Sequence, residues 1–202
     1  MRMIYFVRHG ETDFNVEKRI QGHSDSTLTK TGIEQVETLQ EALAHIEWRK
    51  IYSSPSKRAY ETAKILAPGK AIFKDDRLKE LYMGPFQGMR WSELKEKHPT
   101  LYEHYWFDPG KFKHESCETF DELKRRTEDF LQELVEDGPD GNILVVTHGV
   151  VIQMVLAIIK GLPLENFWET PLVKSASVTK VKIVGQTMEL VAVGEQMTVH
   201  RF

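Results

Sequence analysis

Two apolar runs far apart in the chain end alike: Ile4-Tyr5-Phe6-Val7 leads into Arg8-His9-Gly10-Glu11-Thr12, and Ile143-Leu144-Val145-Val146 leads into Thr147-His148-Gly149. Each reads as a buried strand that carries a histidine to its carboxyl end, where open parallel sheets bind ligands. The glycine after each histidine lets the backbone turn sharply and a ligand come close. Two histidines, the arginines Arg8 and Arg58, and the carboxylate of Glu80 suit a dianionic phosphate monoester. Phosphoryl transfer needs its substrate positioned and the charge on the equatorial oxygens neutralised, commonly by metal ions or arginines. Arg8, Arg58 and His148 supply that charge as side chains, and the planar fork of arginine donates two parallel hydrogen bonds to phosphate oxygens. Asn15 adds a neutral donor. A histidine with one unprotonated ring nitrogen attacks phosphorus as a nucleophile, and neighbouring positive charge lowers its pKa toward that state; His9 is the best placed.

The elements that must hold these groups follow from local pattern. Residues 13 to 27 are polar and read as a loop over the strand ends, which brings Gln21, Gly22 and His23 over the site. With Asn15 and Gly149 these are the expected substrate-binding residues. Thr29 caps a helix whose apolar stripe is Ile33, Val36, Leu39, Leu43 and Ile46. Ile51-Tyr52-Ser53 is a strand, and Ser54-Pro55 signals a helix start with Ser54 as cap, which puts Arg58 in the first turn beside free backbone N–H groups. Ala71-Ile72-Phe73 is a third strand, with Glu80 in the loop beyond it. Thr119 and Glu122 form a capping-box pair ahead of an amphipathic helix that stops near Gly138-Pro139. A helix from about Val151 follows the second histidine, and Ser177 to Ile183 and Leu190 to Val193 alternate as two half-exposed strands, read as antiparallel. Strands alternating with amphipathic helices imply an α/β fold, a three-layer α/β/α sandwich with a mostly parallel sheet.

Arg8 to Thr12 with Asn15, Ser53-Ser54-Pro55 with Arg58-Ala59 and Thr62-Ala63, Glu80, and Thr147-His148-Gly149 together resemble the histidine phosphatase superfamily, in its phosphoglycerate-mutase-like branch. The resemblance runs from Met3 to about Val184 with the motifs in order, and it implies the same fold. It also implies that His9 becomes phosphohistidine, that Arg8, Arg58 and His148 hold the phosphoryl group, and that Glu80 protonates the leaving oxygen and then activates water. Gly84 and Gly88 fit the same pattern. Cys117 stands where many relatives have glycine before Glu118-Thr119, and Ser175 where an asparagine is common.

Composition bounds the rest. At 202 residues, with 41% hydrophobic and 28% charged, the chain reads as one globular domain over 1–202. Residues 84 to 118, dense in aromatics and broken by glycine and proline, read as an insertion over the site; those aromatics are read as core before substrate cage. A net charge of -3 speaks against nucleic acid as a partner. The apolar region Ile143 to Ile159 is interrupted by Thr147, His148 and Gln153 and reads as strand and helix, not as a membrane span. A single cysteine, Cys117, and no leader pattern point to the cytoplasm. His45, His98, His104, His114 and His200 read as surface residues with no metal spacing, so the expectation is no metal and no cofactor. The expected activity is metal-independent hydrolysis of small organic phosphate esters by a monomer or homodimer. The rivals are a cofactor-dependent phosphoglycerate mutase, a specialised ribazole phosphatase or sugar bisphosphatase, and a catalytically dead phosphate-binding module.

Overall fold

A computed structural model describes residues 2–196. Six strands form one sheet: β1 (Arg2–Arg8), β2 (Trp48–Ser53), β3 (Phe73–Lys74), β4 (Gly141–Thr147), β5 (Val178–Val184) and β6 (Thr187–Glu195), in the spatial order β3-β2-β4-β1-β5-β6. The first four run parallel; β5 and β6 are antiparallel additions at one side. Among the described residues the α-helices are α1 (Asp13–Val16), α2 (Lys30–Leu43), α3 (Lys57–Leu66), α4 (Trp91–Lys97), α5 (Pro99–Phe107), α6 (Phe120–Glu136) and α7 (Gly149–Lys160).

The period-2 alternation of the inner strands builds three layers. Ile4 and Phe6 of β1, with Ile143 and Val145 of β4, face Phe130 and Leu134 of α6 and Ile152 and Val155 of α7. Val7, Leu144 and Val146 face the other way, onto Val36 and Leu39 of α2 and Ala59 and Ala63 of α3. Both inner strands are therefore buried on both faces, which is why their sequences are continuous apolar runs. A third cluster joins the segment after Glu80 to the rest. Phe86, Leu94, Tyr105 and Phe112 pack on Phe120 and Leu123 of α6 and on Val151 and Met154 of α7.

Several local expectations shift. The helix after β2 begins at Lys57 behind Ser56, not at Pro55, because the Ser54 hydroxyl is drawn to His148 across the sheet. Arg58 still falls in its first turn. Ile33 is 38% exposed and Ile46 lies beyond the end of α2, while Gly32 is the residue that turns inward against the tip of β1. The third strand is only Phe73–Lys74, an exposed edge. The helix after His148 starts two residues early, at Gly149. Thr119 and Glu122 make the reciprocal capping box, and β5 and β6 pair antiparallel as read. His98 and His114 stack on Phe86 at 4.9 Å each, His45 is exposed, and His200 lies outside the described residues.

Candidate active site

Register brings the two histidines together. β1 pairs β4 with Arg8 opposite Thr147, so His9 and His148 each stand one residue beyond the same rung. Their rings lie 5.2 Å apart, centroid to centroid, and are inclined at 63°. The turn out of β1 is possible only at glycine: a Cβ on Gly10 would lie 2.6 Å from the Gly32 carbonyl oxygen and 2.9 Å from Val36. The close approach of this strand tip to the first turn of α2 fixes where His9 emerges.

Both histidines are buried, His9 at 2% exposure and His148 at 0%. His9 Nδ1 is 2.7 Å from the Gly10 carbonyl, which only accepts, so Nδ1 carries the proton. Nε2 receives the Arg58 Nε–H at 3.3 Å and is therefore the bare nitrogen. Burial, reinforced by the charges of Arg58 and Arg8, holds the His9 pKa well below the usual histidine range. His148 is lowered in the same way, by burial first and then by Arg58. Its Nε2 lies 2.9 Å from Ser54 Oγ and 3.2 Å from Ser56 Oγ, whereas Nδ1 has no partner.

Arg58 is wholly buried, and burial lowers its pKa to about 10. Nη1 donates to the Ser24 carbonyl at 2.8 Å and Nη2 to that of Gly22 at 2.7 Å, so one guanidinium ties the loop after α1 to the His9 ring. Arg8 Nη1 donates to the Val173 carbonyl at 2.6 Å, and its buried Nε is unpartnered. An unpartnered buried donor costs free energy, which a hydrogen bond to a ligand oxygen would recover.

Glu80 sits in a loop, half-buried, with Oε1 accepting from the Leu81 N–H at 3.0 Å and Oε2 from the Val150 N–H at the start of α7 at 3.2 Å. Burial raises its pKa against those two hydrogen bonds and the charges of Arg58 and Arg8. A carboxyl with a raised pKa near two cations is suited to proton transfer.

A cavity of about 180 Å³ lies beside this cluster and reaches Arg8 and Glu80, while His9, Arg58 and His148 stand behind its lining. Arg8, Glu80, Asn15, Gln21, Gly22 and Gly149 all line it. Asn15 is fixed by a capping box with Thr12, and Gln21 Oε1 accepts from Thr12 and Ser26. His23 stands apart: exposed, it turns its ring to the Glu80 carbonyl at 2.8 Å and onto Tyr82 at 4.9 Å instead of to the cavity wall. Trp91, Tyr105 and Trp106 of the 84–118 segment line the cavity together with Trp168 and Gln153, so these aromatics are core on one side and wall on the other. Sequence reasoning missed Ser54, Ser56, Gln153 and Trp168. Ser54 stands inside the Ser53-Ser54-Pro55 motif, where a helix cap was the more obvious use. Among the described residues no group of three or more His, Cys, Asp or Glu side chains could hold a metal ion. No helix among them is long and apolar enough to cross a membrane.

The sequence pattern described as the histidine phosphatase superfamily, branch 1, matches residues 4–196. Phosphoserine phosphatase 1 of Hydrogenobacter thermophilus is 31% identical over 170 residues, covering 83% of this chain and 81% of that protein. YhfR of Bacillus stearothermophilus superposes with a TM-score of 0.92 at 34% identity, over 96% of this chain and 98% of its own. A mycobacterial glucosyl-3-phosphoglycerate phosphatase, solved with VO3, superposes with a TM-score of 0.86 at 28% identity, over 96% and 99%.

Proposed function

The chain belongs to the histidine phosphatase superfamily, branch 1, and on that premise we propose that it hydrolyses small organic phosphate monoesters through phosphohistidine at His9, with no metal ion. The observation that carries this reading is the tautomer of His9: Nδ1–H is spent on the Gly10 carbonyl, and Nε2 carries no proton and meets Arg58 Nε at 3.3 Å. A neutral imidazole oriented in this way is a nucleophile that needs no further activation.

In the first half-reaction His9 Nε2 gives up its hydrogen bond from the Arg58 Nε–H, which passes to a phosphoryl oxygen, and forms a bond to phosphorus as the ester P–O bond breaks and the Glu80 carboxyl gives its proton to the departing alkoxide. In the second, water attacks the phosphoryl group, Glu80 takes the water's proton, and the N–P bond breaks to release phosphate. Arg8 and Arg58 neutralise the equatorial oxygens throughout. With a serine hydroxyl donating to His148 Nε2, the ring proton of His148 sits on the unpartnered Nδ1, available to a phosphoryl oxygen. The alcohol leaves through the cavity walled by Trp91, Tyr105, Trp106 and Trp168, whose size suits a compact organic group. Relatives named for phosphoserine and glucosyl-3-phosphoglycerate support a small phosphorylated metabolite as the substrate class.

Rapid quench with a labelled phosphate ester tests the mechanism. The expected intermediate is acid-labile and base-stable, disappears in His9→Ala, and forms at an undiminished rate in chelator. A trapped phosphoserine or phosphoaspartate, or an activity lost to chelator and restored by a divalent ion, refutes it.

A further inference from the structure

The backbone carbonyl of Glu80 is an unusual meeting point. His23 Nε2–H reaches it at 2.8 Å from the loop after α1, and Arg126 Nη2 reaches it at 3.2 Å from the middle of α6. Neither side chain lines the cavity beside Arg8, although His23 borders a second hollow with Gly22, Ser56 and Glu80. We infer that His23 and Arg126 are positioning residues for the acid, holding the loop that carries Glu80 from opposite sides so that its carboxyl stays in line with the leaving oxygen. This rests on the reading of Glu80 as the proton donor.

The anchorage on the α6 side is firm. Arg126 Nε and Nη2 lie 2.5 and 2.9 Å from the Glu118 carboxylate, both side chains being largely buried, and Nη1 donates to the Arg77 carbonyl at 2.6 Å. Glu118 in turn exchanges two hydrogen bonds with Tyr82: its carboxylate accepts the Tyr82 N–H at 3.0 Å and its own N–H donates to the Tyr82 carbonyl at 2.9 Å. Residues 77, 80 and 82 are thereby pinned to one ion pair. Glu80 lies in neither helix nor strand, so these contacts do what a regular element does for His9 and His148.

On the other side the anchor leads back to the nucleophile. The carbonyls of Gly22 and Ser24, which flank His23, both accept from Arg58, and the Nε of Arg58 meets His9 Nε2. Gly22 takes a positive φ of 51°, and a Cβ there would strike Gln87, whose Oε1 accepts the His23 N–H at 2.5 Å. His23 therefore links a loop fixed by the nucleophile's arginine to the loop that carries the acid. Catalysis is sensitive to such placement, since a displacement of about 1 Å can cost about a hundredfold.

The test compares an alkyl phosphate with p-nitrophenyl phosphate, whose phenolate leaves without a proton, by single-turnover phosphoenzyme formation. His23 is exposed, so His23→Ala folds normally. We expect it to slow the alkyl ester about tenfold and the aryl ester less than about twofold, with His23→Gln, which keeps an N–H donor, recovering most of the loss. Arg126→Ala has the same bias and a larger effect. In a Glu80→Gln background, itself strongly biased toward the aryl ester, His23→Ala adds nothing further. Equal slowing of both esters by His23→Ala, or an undiminished effect in the Glu80→Gln background, overturns the inference while leaving the acid in place. Equal slowing of both esters by Glu80→Gln itself removes the acid assignment and the inference with it.

Discussion

Keeping two neutral histidines in a buried site has a measurable cost at acid pH. In the unfolded chain His9 and His148 protonate near the ordinary histidine value of about 6.5; in the fold, burial and the arginines hold both rings neutral well below that. The folded state then binds fewer protons, so stability rises with pH and is lost as pH falls through about 6.5. Between pH 7.5 and 5.5 each ring that stays neutral in the fold forfeits about 1.35 kcal/mol, about 2.7 kcal/mol for the two. Glu80 acts in the opposite sense. Its raised pKa gives stability that is present at low pH and lost as pH rises through the folded value, so it offsets part of the histidine loss on acidification. A comparison with His9→Asn/His148→Gln, which keeps Glu80 and the surface histidines, isolates the two rings. Urea unfolding at both pH values should show the parent losing about 2.7 kcal/mol more than the double variant. Equal losses would mean that the rings are not held neutral, and the bare Nε2 of His9 would lose its electrostatic basis.

Two further outcomes follow from the packing. Arg58→Lys keeps the charge but cannot span the Ser24 carbonyl, the Gly22 carbonyl and His9 Nε2 at once; two lost charge-assisted bonds, about 3 kcal/mol together, should lower kcat/KM for p-nitrophenyl phosphate roughly a hundredfold, and near-normal activity would refute the bridging role. Gly10→Ala forces a Cβ to 2.6 Å from a backbone oxygen and should destabilise the protein by about 1 to 3 kcal/mol in urea unfolding, whereas Gly149→Ala, whose Cβ would meet Arg8 at an ordinary 3.5 Å, should cost less; the reverse order would refute the close-approach argument.

What the sequence made legible was the part written in local code. Two apolar runs ending in His-Gly gave parallel neighbours whose ends coincide, and Thr119 with Glu122 gave a helix start, because each signal acts within a few residues. Ser54-Pro55 carries an equally clear local signal, yet its hydroxyl turns to His148, ninety-four positions away, and the helix begins later. Ile33 fits the helical stripe of α2, but the approach of Gly10 to Gly32 sets the rotation of that helix and leaves Ile33 half in solvent. Arg126 was invisible for a related reason. Between Lys124, Arg125 and Thr127 on an amphipathic helix it reads as solvated charge, and only the fold shows it folded inward onto Glu118 and the Glu80 carbonyl. Glu80 itself has no local signature, since loop, ion pair and helix start are all needed to place its carboxyl.

The charge balance of the site connects these placements to the chemistry proposed. In the resting state Arg8 and Arg58 carry two positive charges, both histidines are neutral, and an ionised Glu80 leaves a net of about +1 in a poorly solvated space. A phosphate dianion entering that space turns the balance to about -1, and the least costly correction is a proton on Glu80, whose pKa burial has already raised. Substrate binding therefore favours the protonated carboxyl that the first half-reaction requires. Once the phosphoryl group is on His9 and the alcohol has taken the proton, the same carboxyl is left ionised beside the phosphoenzyme, which is the form that a water molecule needs as its base. No second titratable group is required for this alternation, and Tyr105, the other titratable side chain of the cavity that burial and Glu80 push well above its ordinary pKa, stays neutral through both steps.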